Sequence, residues 1–377
     1  MKILINPFDT LFFRDGKPFS LGEETITNTI LLPYPSTIYG AILSAYISQN
    51  NISLTEETLK NLEKKLKIIQ IALYDEIAEH LLYPVPYDLV YEKEENYSDL
   101  YPLSLLNNVS SNIYFFKIPV FYKNQNVENF NGFVYQEDFK EYLSNNSDIT
   151  HKLSTNEVIS IEYKIGIGIN NTINSVVEGN LYRIQLIRLR RDFFSEYENV
   201  RLKIFVELEG LDLEDNGYLK LGGENKVVYY EKLDKDPSED IKNLVIQLDE
   251  NSSEHLKFKL YLLTPAIFKT GYLAEWMNEK DFVKFKPKWC DKEIEIKLLS
   301  VATGKYLSIG GFDLKEKKLK SMKRAVPEGT IYYFETKEKD FNKIKKCFHL
   351  KSISDYEELR QKGFGIAFVG KYYWGGI

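Results

Sequence analysis

The residues of this 377-residue chain that could do chemistry fall into two groups, and spacing gathers only one of them. His80, His151, His255 and His349 are scattered, so neither a zinc site nor a histidine-centred triad can be read from their intervals. Cys290 and Cys347 stand far apart without metal-ligand spacing and read as buried or idle thiols of a reducing compartment. Gly166 and Gly168 imitate a phosphate-cradling loop, but no lysine followed by serine or threonine stands at P-loop spacing, so nucleotide hydrolysis is excluded on this reading. The gathered group lies in the stretch Pro7 to Gly40. There Phe12 and Phe13 directly precede Arg14, the tight-turn dipeptide Asp15-Gly16 and Lys17. Rings that stack on unpaired bases beside cations that hold phosphates make a surface for gripping RNA. The plainer reading is a hydrophobic plug beside a solvated turn, and composition alone favours it.

Other stretches repeat the choice between a ligand surface and ordinary structure. Arg188, Arg190 and Arg191 end an apolar run and fit a solvated strand terminus as well as an RNA track. The paired glycines Gly222 and Gly223, and later Gly363 and Gly365, let a backbone approach a ligand closely, though isolated glycines usually mean a turn. Ser36 is read as the cap of a helix from Thr37 to about Ser48, whose N-terminal N–H groups suit a phosphate.

The elements that must position these residues follow from pattern. Lys2 to Phe8 is a strand, and a connection as long as the one after it is uncommon in a compact domain unless functional. In the first helix Gly40, Ala41, Ser44 and Ala45 form a narrow side for close approach to a sheet. A capping box at Ser53 and Glu56 opens a second helix with Leu59, Leu62 and Leu66 on one face, and a strand over Ile68 to Tyr74 follows. The prolines in Leu81 to Tyr91 suit an edge strand or a loop. Tyr97 to Asn156 reads as a variable insertion with one helix near Glu137 to Leu143, and the run before Arg191 as a strand buried at its start and emerging at its end. Alternation around Leu202 to Leu208, Phe258 to Leu262 and Ile294 to Leu298 predicts half-buried strands of antiparallel sheets with one covered face. Near the end, a capping box at Ser354 and Glu357, a left-handed stop at Gly363 and a strand from Ile366 to Tyr373 complete a helix and strand.

The net charge of −6 argues against a whole-surface nucleic-acid binder and leaves room for a local basic track. The apolar run Ile3 to Ile5 is too short for a signal peptide and no stretch approaches a membrane span, so the expectation is a cytoplasmic protein without membrane contact.

The segment LFFRDGKPFSLG followed by PYPSTIYGAILSA, with Tyr34 where a further proline is usual, resembles the opening of the RAMP-superfamily subunits named third in the Cmr series of type III-B CRISPR effector complexes. Pro84, Pro86 and Asp88 match a further element of that family. So do Gly166-Ile167, Gly179 to Tyr182, LGGE, LLTPAIF, IGGFD, AVPEGTIYYFE and GFGIAFVG, in order. The resemblance implies an α+β chain of two ferredoxin-like (RRM-like) units with antiparallel sheets and a long insertion. These would be residues 1–210, with the insertion at about 97–156, and residues 211–377, with a strand able to cross the boundary. It further implies a non-catalytic RNA-binding subunit without a cofactor, holding the 5′ handle of a CRISPR RNA and docking the large Palm-domain subunit and the first backbone RAMP subunit in antiviral defence. The candidate RNA contacts are Phe13, Arg14, Lys17, Ser36, Thr37, Arg188, Arg190, Arg191, Gly222, Gly223, Gly363 and Gly365. The alternatives are a RAMP endoribonuclease that processes CRISPR RNA precursor, for which no histidine stands in the opening loop or glycine turns, and a protein-only scaffold.

Overall fold

A computed structural model describes residues 1–14, 26–27, 32–92, 99–105, 119–120, 127–145, 149–170, 172–173, 175–194, 199–224, 226–244, 255–278, 280–313, 318–338 and 341–372. The architecture is mixed α/β, dominated by antiparallel sheets with few helices. Its principal elements up to the middle of the chain are β1 (Lys2–Pro7), α1 (Pro35–Gln49), α2 (Glu56–Lys65), β2 (Lys67–Asp75), β3 (His80–Pro84), β4 (Gly132–Tyr135), α3 (Gln136–Leu143), β5 (Lys152–Ser154), β6 (Ile159–Asn170), β7 (Ser175–Leu189), β8 (Asn199–Glu209), β9 (Asn216–Lys220) and β10 (Val227–Lys232). The remainder is β11 (Leu256–Leu262), β12 (Val283–Phe285), β13 (Ile294–Ala302), β14 (Ile331–Thr336), α4 (Phe341–Phe348), β15 (Lys351–Ser352), α5 (Glu357–Gln361) and β16 (Ile366–Lys371).

The first sheet runs β5-β4-β3-β2-β8-β1-β10-β9, and the second runs β12-β13-β14-β11-β16-β15. In each, an inner quartet stands in the same spatial order of chain-wise second, third, first and fourth strand: β2-β8-β1-β10 and β13-β14-β11-β16. The first sheet therefore extends past Gly210 to take in β9 and β10. Strands β6 and β7 form a long hairpin of their own, joined by a short parallel pairing to Ile26–Thr27.

Alternation along the strands sends side chains to opposite faces, and here both faces meet apolar neighbours. Ile3 and Ile5 of β1 pack with Ile204 and Val206 of β8 and with Ile38 and Ile42 of α1. Leu4 and Phe205 point the other way, into a seam with Tyr261, Tyr333 and Phe368 of the second sheet. The second sheet's far face carries Phe258, Leu260, Tyr332 and Phe334 against Ile344 and Phe348 of α4. Sheet thus packs on sheet, with helices outside each. The expectation of one covered face fails for this reason: at the centre even Lys203 and Lys259 are buried.

Several local readings need correction. Strand β3 is no edge, since it pairs with both β2 and β4; Pro84 takes its last position, where the ladder needs no donor. Within the stretch read as an insertion, α3 stands at the expected helix near Glu137 to Leu143 and packs into the seam, while β4 and β5 join the first sheet. Tyr34, not Ser36, occupies the N-cap of α1 and makes no side-chain cap; Pro35 takes the first turn with its fixed φ. Ala41 and Ala45 are buried, but Gly40 and Ser44 face outward, so the narrow side is split. The second helix is capped two residues later than expected, by a box between Thr55 and Thr58. Ser354 caps nothing: its hydroxyl donates to the Phe364 carbonyl and accepts from the Ile267 N–H, and Tyr356 is the N-cap of α5. Cys290 and Cys347 are joined in a disulfide. It links the segment between β12 and β13 to α4, a proximity that sequence separation hides.

Candidate nucleic-acid interface

The opening segment after β1 is fixed by three neighbours. Leu11 exchanges backbone hydrogen bonds with Ile187 of β7, at 2.7 and 2.8 Å. The Phe12 carbonyl accepts from the Gly223 N–H at 2.8 Å, in the turn that joins β9 to β10. Phe13 is 3% exposed and belongs to the core beneath α1. The plug reading therefore holds for Phe13, whose ring is closed to a stacked base. Gly222 has φ +82°, and a Cβ there would lie 2.5 Å from the Phe12 carbonyl oxygen, so a side chain at this turn would push the opening segment away.

Charged groups collect around this three-way contact. Arg188, half-exposed on β7, donates to Glu162 at 2.6 Å and to Asp9 at 3.1 Å. Lys226 donates to Asp9 at 3.0 Å and to Thr10 at 3.2 Å. Lys164 pairs with Glu224 at 2.7 Å, and exposed Arg14 continues the segment. The Asp9 carboxyl is held below its ordinary range, first by a backbone hydrogen bond from Thr10 and then by Lys226; the Arg188 guanidinium is raised, mainly by its hydrogen bond to Glu162. Exposed pairs of this kind contribute about 0–1 kcal/mol each, so a phosphate can replace either carboxylate at small cost.

The structure thus brings Phe13, Arg14, Arg188, Gly222 and Gly223 together and adds Asp9, Lys164 and Lys226, which sequence reasoning missed. Lys226 stands two residues after the LGGE motif, and that motif was the signal available. Arg190 is exposed and its N–H donates to the Val158 carbonyl, while Arg191 begins a short strand, Arg191–Phe194. Lys17 lies outside the described residues. Strand β7 is exposed at Val176 and buried from Ile184 to Leu189, apart from half-buried Gln185 and Arg188, the reverse of the expected direction. Ser36 and Thr37 sit elsewhere, in the first turn of α1, where Tyr34 and Pro35 line a cavity of about 610 Å³ with Tyr87, Phe133 and Glu328. Gly363 has φ +89° and is the left-handed stop of α5; a Cβ there would press Ile68. At Gly365 a Cβ would lie 2.7 Å from the Ser354 hydroxyl. Both glycines serve close packing.

Away from this surface, two buried groups are held in structural contacts. His349 bonds the Ile241 carbonyl and the Val369 N–H, and burial pushes it down to about 4. In the seam Asp88 accepts from Tyr142 at 2.7 and 2.8 Å and from Tyr333 at 2.6 Å. The Lys259 ammonium sits 3.2 Å from the Tyr142 ring centroid, and burial pushes it down to about 8 against the pull of Asp88. Among the described residues no group of three or more His, Cys, Asp or Glu could hold a metal, and no helix is long and apolar enough to cross a membrane.

The family signature described as CRISPR-associated protein (Cas_Cmr3) matches residues 3–372. No curated protein matches. Among solved structures, a chain of the "Cryo-EM structure of the Type III-B Cmr-beta bound to cognate target RNA and AMPPnP, state 1" is similar at 18% identity and TM-score 0.48, covering 92% of this chain and 94% of its own. A chain of the same complex "bound to cognate target RNA" has 18% identity and TM-score 0.46, covering 88% and 86%. The chain belongs to the Cas_Cmr3 family, and the resemblance to Cmr subunits of type III-B complexes holds over nearly its whole length.

Proposed function

We propose that this Cas_Cmr3-family chain is a non-catalytic RNA-binding subunit of a cytoplasmic type III-B effector complex. It holds the 5′ handle of the CRISPR RNA and docks the large Palm-domain subunit and the first backbone subunit. The observation that carries this reading is the meeting of the opening segment, the base of the β6–β7 hairpin and the Gly222-Gly223 turn, with Arg14, Lys164, Arg188 and Lys226 around it. Guanidinium and ammonium groups in exchangeable pairs bind phosphate, and the glycines let the turn close on the opening segment so that these groups meet. The two sheets, with their shared strand order, are read as two ferredoxin-like units, the first running through β10. The cluster at the opening segment holds cations and carboxylates but no described histidine, the side chain most often used for general acid–base cleavage. Photo-crosslinking a guide RNA in the assembled complex tests the reading. Adducts are expected on peptides around 9–14, 162–164 and 222–226, and adducts confined to other segments would overturn it. Handle-bearing RNA should remain intact with the purified chain; cleavage abolished by a point mutation would overturn the non-catalytic part.

A further inference from the structure

Resting on that reading, we propose that the open part of the first sheet's inner face, carrying Phe8, Tyr218 and Tyr229, is a stacking platform for unpaired RNA bases. On this face Tyr218 of β9 lies opposite Tyr229 of β10, which lies opposite Asn6 of β1. Phe8 follows Asn6 by two positions, and Leu4 precedes it by two. Leu4 is buried under the second sheet, whereas Phe8 and Tyr218 are 56% and 64% exposed, so the second sheet covers the face only in part. The rings form one cluster, with centroids 6.3 Å apart for Phe8 with each tyrosine and 5.9 Å for the tyrosine pair.

Two exposed rings beside half-buried Tyr229 make a contiguous apolar patch, the kind of surface that marks a ligand or partner site. The occupant's chemistry follows from the neighbours. Exposed Lys220 stands two residues from Tyr218 on the same side of β9. The nearby carboxylates are engaged: Asp9 holds Arg188 and Lys226, and Glu231 shares Lys203 with Glu76. The face therefore offers its rings beside the exposed Lys220 ammonium and the cations around Asp9, which suits an anionic polymer with flat bases. Phe8 adjoins Asp9, so the platform is continuous with the phosphate-binding cluster. One strand of RNA can thus run from cations to rings, in the way single-stranded RNA lies on aromatic sheet faces.

The test uses the full-length chain and fluorescein-labelled single-stranded oligo-adenylate and oligo-uridylate, titrated at several salt concentrations. Tyr218→Ala and Tyr229→Ala are each expected to weaken binding roughly tenfold with no change in salt slope, whereas Tyr229→Phe, which keeps the ring, binds like the parent. Photo-crosslinking of 4-thiouridine RNA to the unmutated protein should label peptides containing Phe8, Tyr218 or Tyr229. If the alanine variants melt and bind RNA like the parent while Arg188→Ala lowers the slope, the platform fails and the proposed function stands. Alanine variants that bind RNA normally but no longer join the other Cmr subunits would mark a protein contact and overturn the platform. A parent chain that binds neither oligonucleotide, alone or within the complex, would overturn both.

Discussion

In the first sheet the helices fill the crossover between the first two strands of the inner quartet, as α1 and α2; in the second they fill the crossover between the last two, as α4 and α5. The remaining crossovers have different fates. Between β8 and β10 the chain folds as β9 and the Gly222-Gly223 turn, which reaches the opening segment and builds a charged surface. Between β11 and β13 it adds only the short edge strand β12 and is closed down, by Trp276 stacked on Phe285 at 4.8 Å and by the disulfide to α4. The same strand order therefore carries, in the first sheet, a connection that builds a charged surface and, in the second, one that is locked as structure. The buried seam around Asp88 binds the two together.

The largest expected effect lies in that seam. Asp88→Ala leaves two tyrosine hydroxyls without their acceptor and the Lys259 ammonium without its nearest opposite charge. The expected loss, read by urea unfolding, is about 3–5 kcal/mol. A loss below about 1 kcal/mol would mean that the sheets are held together by apolar packing alone.

Opening the locked connection comes next. Cys290→Ser or chemical reduction releases a loop spanning 57 residues of sequence, and a loss of about 2–4 kcal/mol is expected, with RNA binding unchanged. If RNA binding fell in step with stability, the second unit would not be the purely structural partner described above.

The site-forming connection is probed by Gly222→Val. Its φ of +82° and the nearby Phe12 carbonyl make a branched side chain strained, at about 1–3 kcal/mol. Here the expected signature is local: weaker RNA binding and faster proteolysis at the opening segment. An unchanged RNA affinity would separate the turn from the interface.

A smaller effect is the pH response of the seam. The folded Lys259 amine titrates near 8 against an ordinary value of 10.5. Between those values the unfolded chain binds more protons than the folded one, so this group adds stability as pH rises from about 8 and subtracts it below. The Tm of the parent relative to Lys259→Met should accordingly rise between pH 7.5 and 9.5; a flat difference would place the amine in contact with water.

Much of this arrangement can be read from the residues. Alternation located β8, β11 and β13 because strand burial follows a period of two, and the left-handed stop at Gly363 follows from glycine's freedom at positive φ. The same alternation could not show that both faces are covered, because Lys203 and Lys259 look solvent-facing until the Glu76 and Glu231 partners or the Tyr142 ring are placed beside them. The serines at 53 and 354 carried box spacing, but spacing does not decide which donor a hydroxyl meets. Of the site, the opening motif and the LGGE turn were legible individually. Their meeting was not, since it depends on β7 and β10 returning from distant sequence, and Arg188 looked like a free end until Asp9 and Glu162 flanked it.

The central claim is that the cluster around the opening segment grips RNA phosphate. Its most direct test is the salt dependence of guide RNA binding by the assembled complex, for the parent, Arg188→Ala and Lys226→Ala, with melting curves confirming that each variant folds. Each variant should lower the log–log slope by about 0.7, the value for one phosphate contact on a single strand, and should lose less than about 1 kcal/mol of stability. Variants that fold and assemble normally yet keep both the affinity and the slope of the parent would contradict the account.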